Sequence, residues 1–517
     1  MDSIDPLLAA IAQQRAGRLP EAEAAYRALL GLAPDCAPAL FLLGLLALST
    51  GRAAEAAALL ARADALRPGH PGQVLALCRA LLAGHRPGDV PAAVAPLLAD
   101  VAQPPAVLAE AHFLHGSALN ALARFGAAAQ ALSLAVAANP SHASAHANLG
   151  NALADLDRPE AAEAALREAV RLDPMLVEAH VSLGHVLGER GATAEAIAAC
   201  QRAIDLRPDL AAAHWNQGIA CLLAGRFEEG WARYEWRKRR FPHAFAALSG
   251  PHWQGEALDG RHILVLAEQG FGDAIQLARY LPLLAARGAR VSLRCAAPLR
   301  PLLRQLAGVA VLGDGPLPAY DVWVDQMSLP GLFATTLDTI PGPSPCLRAP
   351  PPALAASWRR RLPPDRRVGL VWAGNPAHSN DRRRSMPPDA VAALATSCAP
   401  RLVGLQVGPR AGELVARGVP ELGRALASYA DTAAVLASLD LLVTVDTSVA
   451  HLAGALGVPT WVMLPYAPDW RWMRDRLDSP WYPSVRLFRQ ERAGDWSGVV
   501  REVTAVLARQ RSPAMAE

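Results

Sequence analysis

The sequence predicts an α-solenoid of paired helices followed by an α/β domain of two doubly wound lobes. Two observations carry this reading. Up to about residue 242 the chain repeats itself every 34 residues, and beyond Arg261 short apolar runs alternate with Gly-rich or polar turns and helix-length segments. At 517 residues the chain is also longer than the ~250–300 residues at which a single core stops growing, so several domains are required.

The repeats come first. Gly116, Gly150, Gly184 and Gly218 stand 34 residues apart, as do His112, His146, His180 and His214. Pro140, Pro174, Pro208 and Pro242 keep that spacing, and Pro34 and Pro68 join the series through two 36-residue steps at Pro104. Segments such as NLGNALADLDRPEAAEAALREAVRLDP resemble the tetratricopeptide family, whose helix-turn-helix unit has this period. About seven repeats fit within residues 1–242. In each, the glycine lets the first helix approach its partner, Ala128, Ala162 or Ala196 allows the same on the second, and the proline stops the pair. Such stacks bind protein segments, and Asn148 and Asn216 are placed either to bond a peptide or to solvate a helix. The four histidines, a full repeat apart, read as packed side chains rather than metal ligands. The last unit, GRFEEGWARYEWRKRRFP, is rich in Trp and Arg, and Trp231, Tyr234 and Trp236 read as a seam that docks on the next domain.

Residues 243–260 read as a connector. The first lobe, 261–345, has strands expected at His262–Ala267, Arg290–Cys295 and Tyr320–Val324, with EQGFGD as a turn and a helix at Ala274–Arg287. A Pro-rich linker covers 346–367. The second lobe, 368–510, has strands at Val368–Trp372, Leu402–Gln406, Leu441–Val445 and Thr460–Leu464. Ligands of open parallel sheets bind beyond the carboxyl ends of the strands, which directs attention to EQGFGD, AGNPAHSNDRRRS, Gln406 and DTSVAH.

In the last of these, Asp446 leads into Thr447 and Ser448 at a helix N-terminus, a ready anion site, with His451 one turn further on the same face; an ordinary cap with a packed histidine is the plainer reading. Asp273 reads as a general base or as the cap of the helix that follows it, and Gly270 and Gly272 either admit a substrate or only shape the turn. His378 and the run Arg382, Arg383 and Arg384 offer positive charge to a phosphate, and Asn375 and Gln406 offer hydrogen bonds to a base or sugar. No carboxylate or His/Cys spacing demands a metal ion.

The stretch DTAAVLASLDLLVTVDTSVAHLAGALGVPTWVML resembles the heptosyltransferases, glycosyltransferase family nine, and so does ILVLAEQGFGDAIQLARYLPLLAARG. With VGLVWAGNPAHSNDRRRS, PYAPDWRWMRDRLDSPWYPSVRLF and the YEWR of the last repeat, the whole chain resembles bacterial tetratricopeptide-linked glycosyltransferases. The resemblance implies a GT-B-like pair of Rossmann-like lobes, with the acceptor on the first and the nucleotide sugar on the second. It implies Asp273 as catalytic base and Gly270, Gly272, Asn375, His378, Arg382, Arg384, Gln406, Asp446, Thr447, Ser448 and His451 around the nucleotide sugar. The reaction implied is an inverting, metal-independent transfer with the nucleotide sugar as co-substrate and no other cofactor, to a protein held by the repeats. Some members with this layout glycosylate flagellin, so a flagellin-like acceptor belongs to the implied partners. The arginine run replaces a lysine common near the phosphates, so donor class carries over and donor identity does not. Two other readings stand beside it: a non-catalytic scaffold with a degenerate nucleotide-binding domain, and a nucleotide-sugar epimerase.

Composition narrows the rest. A formal charge of +3 gives no field for nucleic acid. Seven cysteines without a CxxC pair suggest neither a disulfide framework nor a zinc site. Apolar residues are 52% of the chain, but the densest run, Ala39–Leu48, is half of the ~20 residues needed to span a bilayer. MDSIDPLLAA lacks the basic start and long apolar core of a secretory signal, so a cytoplasmic location is expected.

Overall fold

The structure is a computed structural model and describes residues 4–100, 102–245, 248–342, 346–362, 367–378, 380–398 and 402–509. Fourteen helices come in consecutive pairs: α1 (Ile4–Arg15) with α2 (Leu19–Leu32), α3 (Ala37–Ser49) with α4 (Ala53–Leu66), α5 (Pro71–Ala83) with α6 (Val90–Ala99), and α7 (Pro105–Ala121) with α8 (Phe125–Ala138). There follow α9 (Ala143–Asp155) with α10 (Pro159–Leu172), α11 (Val177–Arg190) with α12 (Thr193–Leu206), and α13 (Ala211–Leu223) with α14 (Phe227–Tyr234).

Glycine sets the approach within a pair. A Cβ on Gly44, Gly116 or Gly150 would lie 2.7, 2.5 and 2.5 Å from Cγ of Leu60, Leu132 and Leu166, and 3.5, 3.3 and 3.1 Å from the carbonyl oxygens of Ala56, Ala128 and Ala162. The small residue expected opposite each glycine is therefore where the helices cross. Pro34, Pro68, Pro140, Pro174 and Pro208 each fall two residues after a second helix ends, where a residue without an N–H stops the ladder. The repeated histidines do more than pack. Nε2–H of His146, His180 and His214 donates to the carbonyl of Pro140, Pro174 and Pro208 at 3.0, 3.0 and 2.8 Å, tying each turn to the helix that follows it. Asn148 joins neighbouring repeats: its Nδ2 donates to Ser117 Oγ at 2.8 Å and its backbone carbonyl accepts from Asn120 Nδ2 at 2.9 Å.

The described residues fall into two compact units, one of residues up to 186 with 205–207, the other of 187–204 with those from 208 onward. In the first unit α1 to α10 bury mostly alanine and leucine. The second unit continues from α14 into a single turn α15 (Arg237–Arg240), then β1 (His262–Leu266), α16 (Phe271–Leu277), α17 (Leu281–Ala286), β2 (Arg290–Arg294), α18 (Arg300–Leu303), β3 (Val309–Val311), β4 (Val322–Asp325) and α19 (Leu329–Leu332). After α20 (Pro352–Arg359) come β5 (Val368–Val371), α21 (Asp381–Arg384), α22 (Pro388–Cys398), β6 (Leu402–Gly404), α23 (Tyr429–Leu436), β7 (Leu441–Val445), α24 (Ser448–Ala455), β8 (Thr460–Leu464), β9 (Val485–Arg489) and α25 (Trp496–Arg509).

Two all-parallel sheets result, ordered β3-β2-β1-β4 and β6-β5-β7-β8-β9. Each is a doubly wound order, and the chain reverses direction across the sheet between β1 and β4 in one and between β5 and β7 in the other. Strands β7 and β8 are buried at all five positions, as parallel strands covered on both faces must be. β3 and β9 were not expected; one is a three-residue edge strand, the other an edge strand whose Arg486 points outward. The helix expected at Ala274–Arg287 starts earlier, at Phe271, and breaks at a 3₁₀ turn over Ala278–Tyr280, because Pro282 opens α17 and cannot donate back across the break. The Pro-rich linker is not wholly irregular: it holds α20, whose buried Trp358 donates to Asp431 Oδ1 at 3.1 Å. Residues 246–247 of the connector, 343–345, 363–366 of the linker, Ser379 and residue 510 lie outside the described residues.

The expected aromatic seam divides. Trp231 is buried, donates to the Thr335 carbonyl at 2.9 Å and meets Trp470 edge-on at 5.2 Å, and Tyr234 meets Trp470 at 6.2 Å. Trp236 instead stacks back on His214 at 3.8 Å. Two of the three thus join the last repeat to the α/β core.

Because the Gly150 approach leaves no room for a methyl group, Gly150→Ala is expected to destabilise the chain by about 1–3 kcal/mol in the wild type, and to cost little in a Leu166→Ala background. Thermal unfolding of the four full-length variants of that cycle checks it; equal penalties in both backgrounds would contradict the close-packing account.

Candidate functional site

β1 runs out at Leu266 and the chain turns through Glu268 and Gln269 into α16. Gly270 is the N-cap of that helix, and its N–H donates to Asp273 Oδ2 at 2.9 Å, the one half of a capping box that a glycine allows. The other oxygen, Oδ1, accepts from an Nη of Arg471. The Asp273 side chain remains 22% exposed. Burial raises its pKa, and the guanidinium of Arg471 works against that rise.

Arg471 sits in the loop after β8 and reaches from the second sheet's lobe to the first. It donates to Gln276 Oε1 at 2.6 Å, to Asp469 Oδ1 at 2.8 Å and to Asp273, and its guanidinium lies 4.2 Å above the Trp470 ring. Asp469 in turn accepts from the Arg471 backbone N–H at 3.0 Å. The turn carrying these residues is strained: Met473 has φ 50° and ψ −166°, a region costing a non-glycine residue about 1–3 kcal/mol. Arg489 on β9 holds it, donating to the carbonyls of Trp472, Met473 and Arg476 at 2.6, 2.9 and 3.1 Å.

At the end of β7, Asp446 and Thr447 lead into α24. Thr447, extended at φ −144° and ψ 170°, is the N-cap by position, but its hydroxyl makes no capping bond and lies 3.4 Å from Thr444 Oγ1. Ser448 Oγ is hydrogen-bonded with the Tyr429 hydroxyl at 2.6 Å. The first N–H groups of α24 are therefore not closed off by the Thr447 side chain, which suits an anion. His451, 5% exposed, is hydrogen-bonded through Nδ1 with the Tyr482 hydroxyl at 3.1 Å, stacks on Trp472 at 5.2 Å and has Nε2 3.9 Å from Asp446 Oδ1. Burial, and then Arg471, push its pKa down to about 3, so it is neutral at pH 7. Asp446 moves the other way, up to about 6, through burial and the nearby Asp469 carboxylate.

The structure brings the two predicted clusters together. A Cβ on Gly272 would lie 2.7 Å from His451 Cδ2, so glycine there lets α16 meet α24, a contact the sequence did not indicate. His378, on the loop after β5, shares the field: partial desolvation and Arg384 lower its pKa, while Asp469, Asp381 and Asp273 raise it. Arg384 also acts on Asp446 and His451. The arginine run itself diverges, since successive residues of one helical turn point about 100° apart. Arg384 pairs with Asp381 at 3.3 Å, Arg383 pairs with Glu189 of α11, and Arg382 is exposed. Asn375 is exposed, and its Oδ1 accepts from the Ala377 N–H at 3.0 Å. Gln406 is removed from the ligand-binding set. Its Oε1 accepts from the N–H groups of Trp372 and Ala373 at 3.0 and 2.9 Å, and its Nε2 donates to the carbonyls of Ala373 and Val407 at 3.1 and 2.9 Å. A buried amide with both ends committed to backbone braces the ends of β5 and β6 and has nothing left for a sugar.

Residue-level reasoning missed Asp469, Arg471 and Tyr429. The signal for the first two was present in DWRW, an arginine between two tryptophans, a setting that favours a stacked guanidinium. Glu268, five residues before Asp273 in the same turn, is 5% exposed and paired with Arg237 at 3.1 Å; burial lifts its pKa to about 7.

Comparison with known proteins supports the repeats. The tetratricopeptide repeat family profile matches residues 7–71, 113–176 and 181–236, and the chain carries these repeats. Protein FlbA of Caulobacter vibrioides is 28% identical over 325 residues, an alignment covering 55% of this chain and 53% of FlbA, so the chain spans about half the length of that curated relative. Among solved structures, YrrB, a TPR protein with an unusual peptide-binding site, is 21% identical with a TM-score of 0.31, covering 34% of this chain and 90% of its own. PilF of Pseudomonas aeruginosa is 18% identical with a TM-score of 0.34, covering 40% and 92%. Among the described residues no helix is long and apolar enough to cross a membrane.

His451 generates a pH prediction. Its folded pKa lies below the value of about 6.5 for a free histidine, so between about pH 6.5 and 3 the unfolded chain binds the extra proton, and stability is lost as pH falls through that window. Asp446, with its raised pKa, contributes in the opposite sense, so the difference between wild type and His451→Gln is the readout. Wild type is expected to lose melting temperature faster than the variant between about pH 7 and 5; parallel curves would show that His451 is not buried as a neutral ring.

Proposed function

We propose that this chain is a glycosyltransferase that moves a sugar from a nucleotide-sugar donor to an acceptor, a protein held by the repeats. The observation that carries the reading is the meeting of Asp273, beyond the first strand of one sheet, with the N-terminus of α24, beyond β7 of the other, across the contact of Gly272 with His451. Both lie where ligands bind in doubly wound sheets. The family resemblance of the two segments supports the same roles.

Displacement at an anomeric carbon needs a proton acceptor for the attacking hydroxyl and positive potential for the departing phosphate. Asp273 serves as acceptor in this reading. Each of its oxygens already takes one hydrogen bond, and a carboxylate oxygen has a second lone pair, so a substrate hydroxyl still finds a site on it. Arg471 tempers its basicity and Gly270 fixes its direction. The departing phosphate faces the open N–H groups of α24, with Arg384 adding charge, His378, whose pKa is lowered, adding a neutral ring N–H, and Ser448 and Asp446 bordering the sugar. A single in-line displacement of this kind inverts the anomeric centre, and these groups supply the charge without calling on a metal ion.

One observation favours a second reading. An aspartate engaged by its helix N-terminus and a buried arginine is also what a structural clasp looks like, in which case the α/β part is a scaffold that no longer turns over. Asp273→Asn separates the two. The amide keeps an oxygen for the Gly270 N–H but turns its NH2 toward Arg471, so a lower melting temperature is expected on either reading, and the transferase reading alone expects turnover lower by about 10² to 10⁴. The check is single-turnover transfer from a panel of nucleotide sugars to the co-purifying acceptor, with calorimetry of donor binding. Thr447→Val is expected to weaken donor binding by on the order of 1 kcal/mol. Transfer by Asp273→Asn within a few-fold of wild type, with a lower melting temperature, would return Asp273 to the clasp.

A further inference from the structure

The basic run that closes the last repeat uses its four charges unequally. Arg237 is 1% exposed and serves Glu268 at 3.1 Å and Ser328 at 2.8 Å. Lys238 Nζ lies 2.9 Å from Asp325 Oδ2 and 3.0 Å from Glu235 Oε2. Arg239 and Arg240 are exposed, and among the described residues neither has a carboxylate partner. Each guanidinium lies instead over a ring, Arg239 at 4.7 Å from the Trp236 centroid and Arg240 at 5.0 Å from that of Phe241.

Those rings are themselves held. Trp236 stacks on His214 at 3.8 Å with the planes 9° apart, and Phe241, 43% exposed, meets Trp215 edge-on at 5.5 Å. From Trp215 the aromatic contacts continue to Tyr234 at 4.8 Å, whose hydroxyl donates to Gln269 Oε1 at 3.3 Å. Gln269 belongs to the same turn as Asp273. Tyr234 is buried, so these contacts brace the exposed arginines and Phe241 from beneath and connect them to the turn before α16.

We propose that Arg239, Arg240 and the Phe241–Trp215 edge form a docking ledge for an acidic segment of the acceptor protein. The partner's identity as acceptor rests on the transferase reading; the ledge's chemistry does not. A guanidinium held over an aromatic ring gives up rotamer freedom while its N–H groups remain able to donate, so a carboxylate pairs with it at a reduced entropic cost. The exposed Phe241 adds an apolar contact beside the two charges, which suits a peptide carrying both carboxylates and a large side chain. Two adjacent charges on a chain of formal charge +3 make too small a field to hold a nucleic acid backbone.

The test uses the full-length chain and a fluorescein-labelled peptide of alternating glutamate and tyrosine, with its glutamine counterpart, an oligothymidine strand and phosphatidylglycerol vesicles as comparisons. Fluorescence anisotropy is expected to show the acidic peptide binding in a salt-sensitive manner, and Arg239→Gln with Arg240→Gln weakening it by about tenfold or more. Phe241→Ala is expected to weaken it with the salt dependence unchanged. Thermal unfolding of each variant verifies that these exposed substitutions leave the fold intact. Equal binding of the glutamine peptide, no loss in the double arginine variant, or tighter binding of the oligonucleotide or the vesicles would overturn the ledge. Binding of the acidic peptide as expected by a chain that transfers no sugar would leave the ledge standing and count against the transferase reading instead.

Discussion

The α/β unit depends on one buried guanidinium. Arg471, with a side chain only 7% exposed, joins the two lobes by donating to Asp273 and Gln276 on α16 while keeping Asp469 on its own loop. A cation so deeply placed is tolerable only when its desolvation is offset by charged and neutral acceptors in good geometry, and removing either side of such a pair leaves a charge stranded. The consequence runs outward from the arginine. Asp273 is oriented by it, the Trp470 ring is covered by it, and the strained Met473 turn that delivers it is fixed by three carbonyls bound to Arg489.

The last repeat follows the same logic. Its residues belong to the compact unit of the two sheets, because Trp231 and Tyr234 bury against Trp470 and because Arg237 enters the first lobe to neutralise Glu268. A repeat normally buries its open side against the next repeat. Here that surface is aromatic and charged, and the partner is an α/β core rather than another helix pair.

The candidate site is electrostatically mixed rather than simply basic. A neutral His451, a carboxyl at Asp446 lifted to about 6, and the Asp469 and Arg471 pair lie close enough to shift one another. Burial sets the direction of the first two shifts; the arginines limit the rise at Asp446 and deepen the fall at His451. Under the proposed transferase reading, the helix N-terminus left open by Thr447 and the nearby arginines face the departing phosphate, and Asp273 faces the attacking hydroxyl.

By itself the sequence determined whatever is written in local spacing. The 34-residue period located the helix pairs, and the apolar runs located seven of the nine strands; Asp273 and the Asp446–Ser448 turn were legible because they stand at fixed offsets from strand ends. β3 and β9 were not, since a three-residue run and an edge strand with an outward arginine leave little pattern. Tertiary structure alone decided which side chains meet. Asp273 and Arg471 are 198 residues apart in the chain, and no local period records that distance. The same is true of Gln406, a polar residue at a strand end that became a backbone brace 34 and 33 residues from the amide groups it binds, and of the arginine run, whose members parted because one helical turn aims each in a different direction. Propensity and periodicity act between near neighbours, whereas the pairing of buried charges is fixed only when distant segments compete for the same acceptors.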